Sequence, residues 1–181
     1  MRYDTFTPIY SGLVGLVVLA AIYDWRYRRI PNWLTIGGLI AGLVLQATLG
    51  AGWVEAVTAI GLALAIYVPL WLLRAVGAGD VKLMAAIGAF PGPREWLAIF
   101  LITAVLGGIV ALIVVLCKRR LGQTLRNVGW ILSQGVRLRA PHRDRPELDV
   151  ADPRAITLPR GVIIAASTLA WLSFSVMLGP H

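Results

Sequence analysis

The amino-acid sequence predicts an all-α, polytopic membrane protein. Six transmembrane helices, the fourth short and preceded by a glycine-rich irregular segment, form a single membrane-embedded domain across residues 1–181. Three observations lead there. Hydrophobic residues make up 58% of the chain and charged residues 14%, against about 45–50% and about 25% in an average soluble domain. The apolar residues gather in six stretches separated by breaks rich in charge, glycine or proline. When these stretches are threaded alternately through a bilayer, fifteen of the 17 Lys and Arg residues fall on one side, which is the asymmetry that orients polytopic proteins.

The first stretch, Phe6 to Tyr23, follows Arg2 and Asp4 and precedes Arg26, Arg28 and Arg29. A cleaved signal carries its positive charge in front, so this reads as a retained helix with its amino end outside. The second, Trp33 to Leu49, and the third, Trp53 to Leu73, are each close to the roughly 20 residues that a span requires. The fourth, Val81 to Phe90, is short: at 1.5 Å per residue it covers about 15 Å, roughly half of a hydrocarbon core. A half-depth hairpin there would invert the later spans and move the basic residues from Lys118 to Arg160 outside. The alternative sets Val76, Gly77, Ala78, Gly79 and Asp80 at membrane depth as irregular backbone, which is tolerated only where it is packed in protein or lines a wet cavity. The charge distribution favours the second arrangement and puts Asp80 in a cavity below the cytosolic surface.

The fifth stretch, Trp96 to Cys117, leads into a basic cytosolic segment, Lys118 to Leu158, and the sixth runs from Pro159 to Leu178. Both termini are expected outside, in a multi-pass protein of the plasma (inner) membrane. Trp25, Trp33, Trp53, Trp71 and Trp96 fall near the ends of these stretches, at the headgroup level that amphipathic rings prefer; Trp171 is expected to pack against other helices. In the basic segment, Leu121, Leu125, Val128, Leu132 and Val136 recur at helical spacing. This fits an amphipathic helix on the inner leaflet, and an unstructured loop fits equally.

The single cysteine, Cys117, excludes an intrachain disulfide and a Cys-rich zinc module, and His142 and His181 make no histidine cluster. No cofactor or metal is expected. The net charge of +8 is mainly an orientation signal, and nucleic acid is not an expected partner. Of the nine acids, Asp4, Glu55 and Glu95 sort outside, and Asp144, Glu147, Asp149 and Asp152 sort into the inner loop. That leaves Asp24 and Asp80, both at cytosolic span ends.

A carboxylate at membrane depth costs on the order of 2.5–3.5 kcal/mol on insertion scales and is a functional candidate by default. Two carboxyls in a partly dry site do not both ionise easily, so they can share a proton and hold a water between them. The ionised member takes the water's proton as it attacks a peptide carbonyl, and the protonated member donates to the carbonyl oxygen. Blander readings are a surface pairing of Asp24 with Arg26, Arg28 or Arg29, an N-cap role for Asp80, and Lys82 snorkelling to lipid headgroups. Gly77 and Gly79 exceed what a cap needs: residues without a Cβ let another backbone approach closely or take positive φ.

Gly77-Ala78-Gly79-Asp80 is the GxGD signature of membrane-embedded aspartyl proteases. Continued through Val81-Lys82-Leu83 to Gly88-Ala89-Phe90, it resembles the type IV prepilin peptidase form. Asp24, followed by Arg29-Ile30-Pro31-Asn32, resembles that family's first aspartate motif, and Leu158-Pro159-Arg160-Gly161 is similar to a weaker feature opening its last span. The resemblance implies that Asp24 and Asp80 are the catalytic pair, that Gly77 and Gly79 shape the backbone around Asp80, and that Pro31 and Asn32 set the chain's return into the bilayer. It further implies a substrate: a pilin-like precursor whose short basic leader is cut at the cytosolic face, usually after a glycine, ahead of an apolar helix lying among membrane lipids. Two-function members carry an amino-terminal methyltransferase region with paired Cys-x-x-Cys motifs, which this sequence lacks. The likeness is therefore to short, peptidase-only members serving Flp-type tight-adherence pili or archaeal flagellins, and N-methylation is not expected. Two alternatives stand beside it. One is an intramembrane protease of the presenilin or signal-peptide-peptidase type, which Tyr23-Asp24 also suits. The other is a small ion-coupled transporter using the same carboxylates.

Overall fold

The computed structural model describes residues 3–73, 75–117 and 160–178. The segment 118–158, with its choice between amphipathic helix and loop, falls outside them. The described residues form α1 (Tyr3–Tyr27), α2 (Asn32–Leu49), α3 (Trp53–Leu72), α4 (Ala78–Gly88), α5 (Pro93–Cys117) and α6 (Arg160–Leu178), and no strand occurs among them. Local chemistry explains the joints. Pro31 is extended (φ −69°, ψ 142°) immediately before α2, and Pro93 opens α5, where a missing N–H costs nothing. Gly52, at φ 112°, supplies the left-handed backbone that turns the chain into α3.

Helices α1, α2, α3, α5 and α6 form a ring in which each packs on its two neighbours, and α4 stands inside it, touching all five. Composition accounts for this placement. Val81 and the run from Leu83 to Phe90 are buried, and Lys82 is the exposed exception in that run; a helix apolar all round belongs in the interior. Small residues let the ring close on it. A Cβ on Gly88 would sit 3.2 Å from the carbonyl carbon of Ala59 on α3, and one on Gly42 would sit 2.8 Å from the Cβ of Ala89. The ring turns apolar side chains outward as well: Ile36, Ile40 and Val44 on α2, and Leu101, Val105, Ile109 and Leu112 on α5, are exposed at helical spacing. Four helical segments, Pro8–Tyr27, Asn32–Leu49, Trp53–Leu72 and Pro93–Val114, are long and apolar enough to cross a membrane, and α6 carries a shorter apolar helix. The described residues are thus all-helical, and the protein is a multi-pass membrane protein.

Two boundaries differ from the sequence expectation in ways that matter to the site. First, α1 continues past Tyr23 to Tyr27, so Asp24 lies in its last turn; the helix closes where the Arg28 N–H donates to the Asp24 carbonyl at 2.9 Å and Arg28 takes φ 53°. Second, Ala78, Gly79 and Asp80 are already helical, and the irregular backbone before α4 narrows to Ala75–Gly77 among the described residues. Gly77 is extended (φ −78°, ψ 150°) ahead of α4, and an acid in the first turn suits the positive end of the helix dipole.

The tryptophans divide similarly. Trp25, Trp33, Trp53 and Trp71 are exposed near helix ends, and Trp171 is buried as expected. Trp96 departs from the pattern: it is fully buried, donates its indole N–H to the Met84 carbonyl at 2.9 Å, and stacks on Phe100 with ring centroids 5.6 Å apart. Its first-turn position on α5 points inward, where α4 supplies an acceptor for the buried N–H.

Candidate active site

The two singled-out aspartates meet at the amino end of α6. Asp24 comes from the last turn of α1 and Asp80 from the first turn of α4, and both are buried. Consecutive residues of α6 hold them. The Gly161 N–H donates to Asp24 Oδ2 at 2.8 Å, and Arg160 Nη1 lies 3.5 Å from Asp80 Oδ2 while donating to the Ala75 carbonyl at 3.0 Å. The Gly77 N–H donates to the same Asp80 oxygen at 3.2 Å. Each carboxylate thus has one oxygen occupied by donors, and no described residue hydrogen-bonds to the other. Both acids therefore sit against consecutive residues of α6, whose amino terminus favours negative charge at this spot.

The close approach at Gly161 is enforced by its lack of a side chain. A Cβ there would lie 2.9 Å from the Asp24 Cβ and 3.0 Å from its Oδ2, inside the distance at which carbon atoms cease to attract. Gly77 and Gly79 behave differently. Neither has positive φ, and a Cβ would meet only Asp80 Oδ2 at 3.6 Å in the first case and Ile30 at 3.7 Å in the second, both ordinary contacts. Packing among the described residues does not itself demand glycine at either position, and the backbone beside Asp80 carries no side chain at 77 and 79.

The remaining candidates form a second, linked group. Lys82 is exposed and donates from Nζ to Asn32 Oδ1 at 2.9 Å, tying α4 to the start of α2. Pro31 sits at the same joint, and Ile30 packs over Gly79. These residues brace the loop that follows Asp24 against the turn that carries Asp80. Among the described residues they make no hydrogen bond to either carboxylate, so their reach is to the backbone frame.

Arg160 and Gly161 were the residues sequence reasoning did not assign to the site. The only signal was their place in Leu158-Pro159-Arg160-Gly161, together with the oddity of an arginine opening an apolar stretch. Among the described residues no group of three or more His, Cys, Asp or Glu side chains could hold a metal ion. What the arrangement offers is two buried carboxylates at one helix terminus, each with an oxygen that no described residue hydrogen-bonds, beside a cavity of about 380 Å³ that Asp80 and Arg160 line.

Comparison with known proteins places these residues in a wider context. Residues 12–112 match a family model described as the type IV leader peptidase family; the match includes Asp24 and Asp80. The chain is 34% identical over 139 residues to a prepilin leader peptidase/N-methyltransferase of Escherichia coli, covering 70% of this chain and 61% of that one. It is 29% identical over 133 residues to a protein of the same description from Neisseria gonorrhoeae (66% and 46%), and 31% identical over 123 residues to one from Myxococcus xanthus (64% and 37%). The chain therefore matches between about a third and three fifths of these relatives' lengths. No solved structure matches.

Proposed function

This chain belongs to the type IV leader peptidase family, and from that premise we propose that it is a membrane aspartyl endopeptidase that removes the short basic leader of type IV pilin-like precursors. Asp24 and Asp80 are its catalytic pair. The observation that carries this reading is the convergence of the two acids on Arg160 and Gly161, in a chain whose relatives are described as prepilin leader peptidases.

The chemistry follows from the geometry. A water lodged between the two open carboxylate oxygens gives its proton to the ionised acid as its oxygen attacks the scissile carbonyl. The other acid donates its proton to that carbonyl oxygen. Collapse of the tetrahedral diol then breaks the C–N bond: the proton held by the base passes to the leaving amine, and one diol hydroxyl returns its proton to the other carboxylate as the carbonyl re-forms, which restores the pair. Gly161 and Gly77 N–H groups and the Arg160 guanidinium hold the outer carboxylate oxygens, so the reacting oxygens keep their direction through the cycle.

The basic residues support six crossings with both termini outside, in the plasma membrane. The pair then lies near the cytosolic face, where a basic leader meets an apolar helix; exposed Trp25 beside Asp24 agrees with that depth. The precursor class, a Flp-type pilin, another pilin or an archaeal flagellin, is defined by this leader–helix junction.

The test is coexpression with a pilin precursor. The unaltered chain should yield a faster-migrating product, and D24N and D80N should each abolish it while leaving the protein folded, because an amide oxygen still accepts the N–H bonds seen here. Undiminished processing by either variant removes the two-aspartate mechanism.

A further inference from the structure

The cavity of about 380 Å³ beside Asp80 runs between α3, α5 and α6. On α5 it is lined by Phe100 and then by Thr103, Ala104, Gly107 and Ala111; beyond Phe100 this face runs for about 12 Å at 1.5 Å per residue with no side chain larger than threonine. Gly107 is the informative member. A Cβ built there meets no atom within 4 Å, so packing among the described residues does not call for glycine, although glycine in a helix interior is less stable than alanine. Gly107 and Ala111 are four residues apart, the spacing at which small residues let a second helix come close in a membrane. The chemistry changes along the cavity: apolar walls over most of its length, and the Asp80 carboxylate and Arg160 guanidinium at one end.

We propose that this trough seats the amino-terminal turns of the precursor's apolar helix, with the Gly107–Ala111 face of α5 setting how closely that helix approaches Asp80. The assignment rests on the leader-peptidase reading above. A peptide that is apolar and helical over one part and polar and extended before it matches the trough's change of character. A lipid acyl chain does not, since it would lay hydrocarbon against a buried carboxylate that needs polar partners. An extended stretch leaving the helix at the Asp80 end would pass Gly77 and Gly79, where the backbone carries no side chains.

Two measurements on the full chain, reconstituted in lipid with a pilin precursor, test this. In the first, G107L is compared with the unaltered enzyme; because the site is open, the variant should keep its melting temperature, raise KM at least tenfold and change kcat less than twofold. In the second, a photo-crosslinking benzophenone amino acid replaces Gly107, or the lipid-facing Ile109, in a D80N background that leaves the precursor uncut. Position 107 should capture the precursor's apolar helix, and position 109 should capture lipid. An unchanged KM for G107L in an active enzyme, or capture of lipid alone at position 107, overturns the trough and leaves the aspartate mechanism standing. Failure of the unaltered chain to cut any precursor removes the leader-peptidase reading and the trough with it.

Discussion

The tightest geometric constraint at the site is Gly161, and its replacement by alanine is the most discriminating single perturbation. The added methyl would sit 2.9 Å from Asp24 Cβ, 3.1 Å from Cγ and 3.0 Å from Oδ2, whereas carbon atoms pack at about 3.5–4.0 Å. Relief requires the Asp24 side chain and the α6 terminus to separate by about 0.6 Å or more, which stretches the 2.8 Å bond from the Gly161 N–H past the roughly 3.2 Å limit of a useful hydrogen bond. Overpacking of this kind costs about 1–3 kcal/mol. Catalytic geometry is less forgiving, since a displacement of about 1 Å can cost on the order of 100-fold in rate. G161A should therefore process precursor about 10- to 100-fold more slowly, while its thermal midpoint in detergent falls only modestly. G15A serves as the matched control, because a Cβ at Gly15 meets nothing within 4 Å, and it should cleave at the unaltered rate. Full activity in a folded G161A would refute the claim that this contact sets the position of Asp24.

Other consequences follow from the same contacts. W96F removes the indole N–H that donates to Met84 and should lower stability by about 1 kcal/mol, read as a shift of the thermal unfolding midpoint; no shift would mean that the buried bond contributes nothing. K82M and N32A should be non-additive in a double-mutant cycle, with a coupling of about 0.5–1.5 kcal/mol, because the two side chains share one hydrogen bond; additive effects would deny that link. Orientation is checked with the native thiol. Cys117 is exposed at the end of α5 and should resist a membrane-impermeant maleimide in intact cells, reacting only after permeabilisation, whereas A51C in a C117S background should label from outside. The opposite pattern would invert the topology.

Much of the helix plan was legible because partition into a bilayer is a local property. The sequence boundaries at Trp33–Leu49 and Trp53–Leu73 agree with α2 and α3 to within a residue. The apolar runs themselves decide the helices, since unpaired backbone groups are not tolerated in hydrocarbon. The short fourth stretch was also recognisable, but burial was expected for the irregular backbone before it, and the central place of the helix itself was not. The limits of α1 and α4 were less so, because composition marks where hydrophobicity ends while hydrogen bonds mark where a helix ends. Asp24, Trp25 and Arg26 are polar or interfacial in character yet complete the last turn of α1. Trp96 shows the same limit: an aromatic ring near a span end is usually interfacial, and only the Met84 carbonyl on a neighbouring helix makes its burial favourable.

The sequence by itself determined which segments are helical and apolar, and its charge pattern carried the expectations that orient them and set Asp24 and Asp80 at one depth. Each of these depends on residue type and spacing along one dimension. Only the tertiary structure decided which atoms surround the acids. The bond from Gly161 to Asp24 spans 137 positions, the Arg160 contact joins α6 to α4, and α4 is central because glycines at 42 and 88 let α2 and α3 close on it. Such contacts are products of packing between distant segments, and no local pattern encodes them. The same two aspartates that the sequence singles out are brought to one place because consecutive residues at the amino end of α6 contact both.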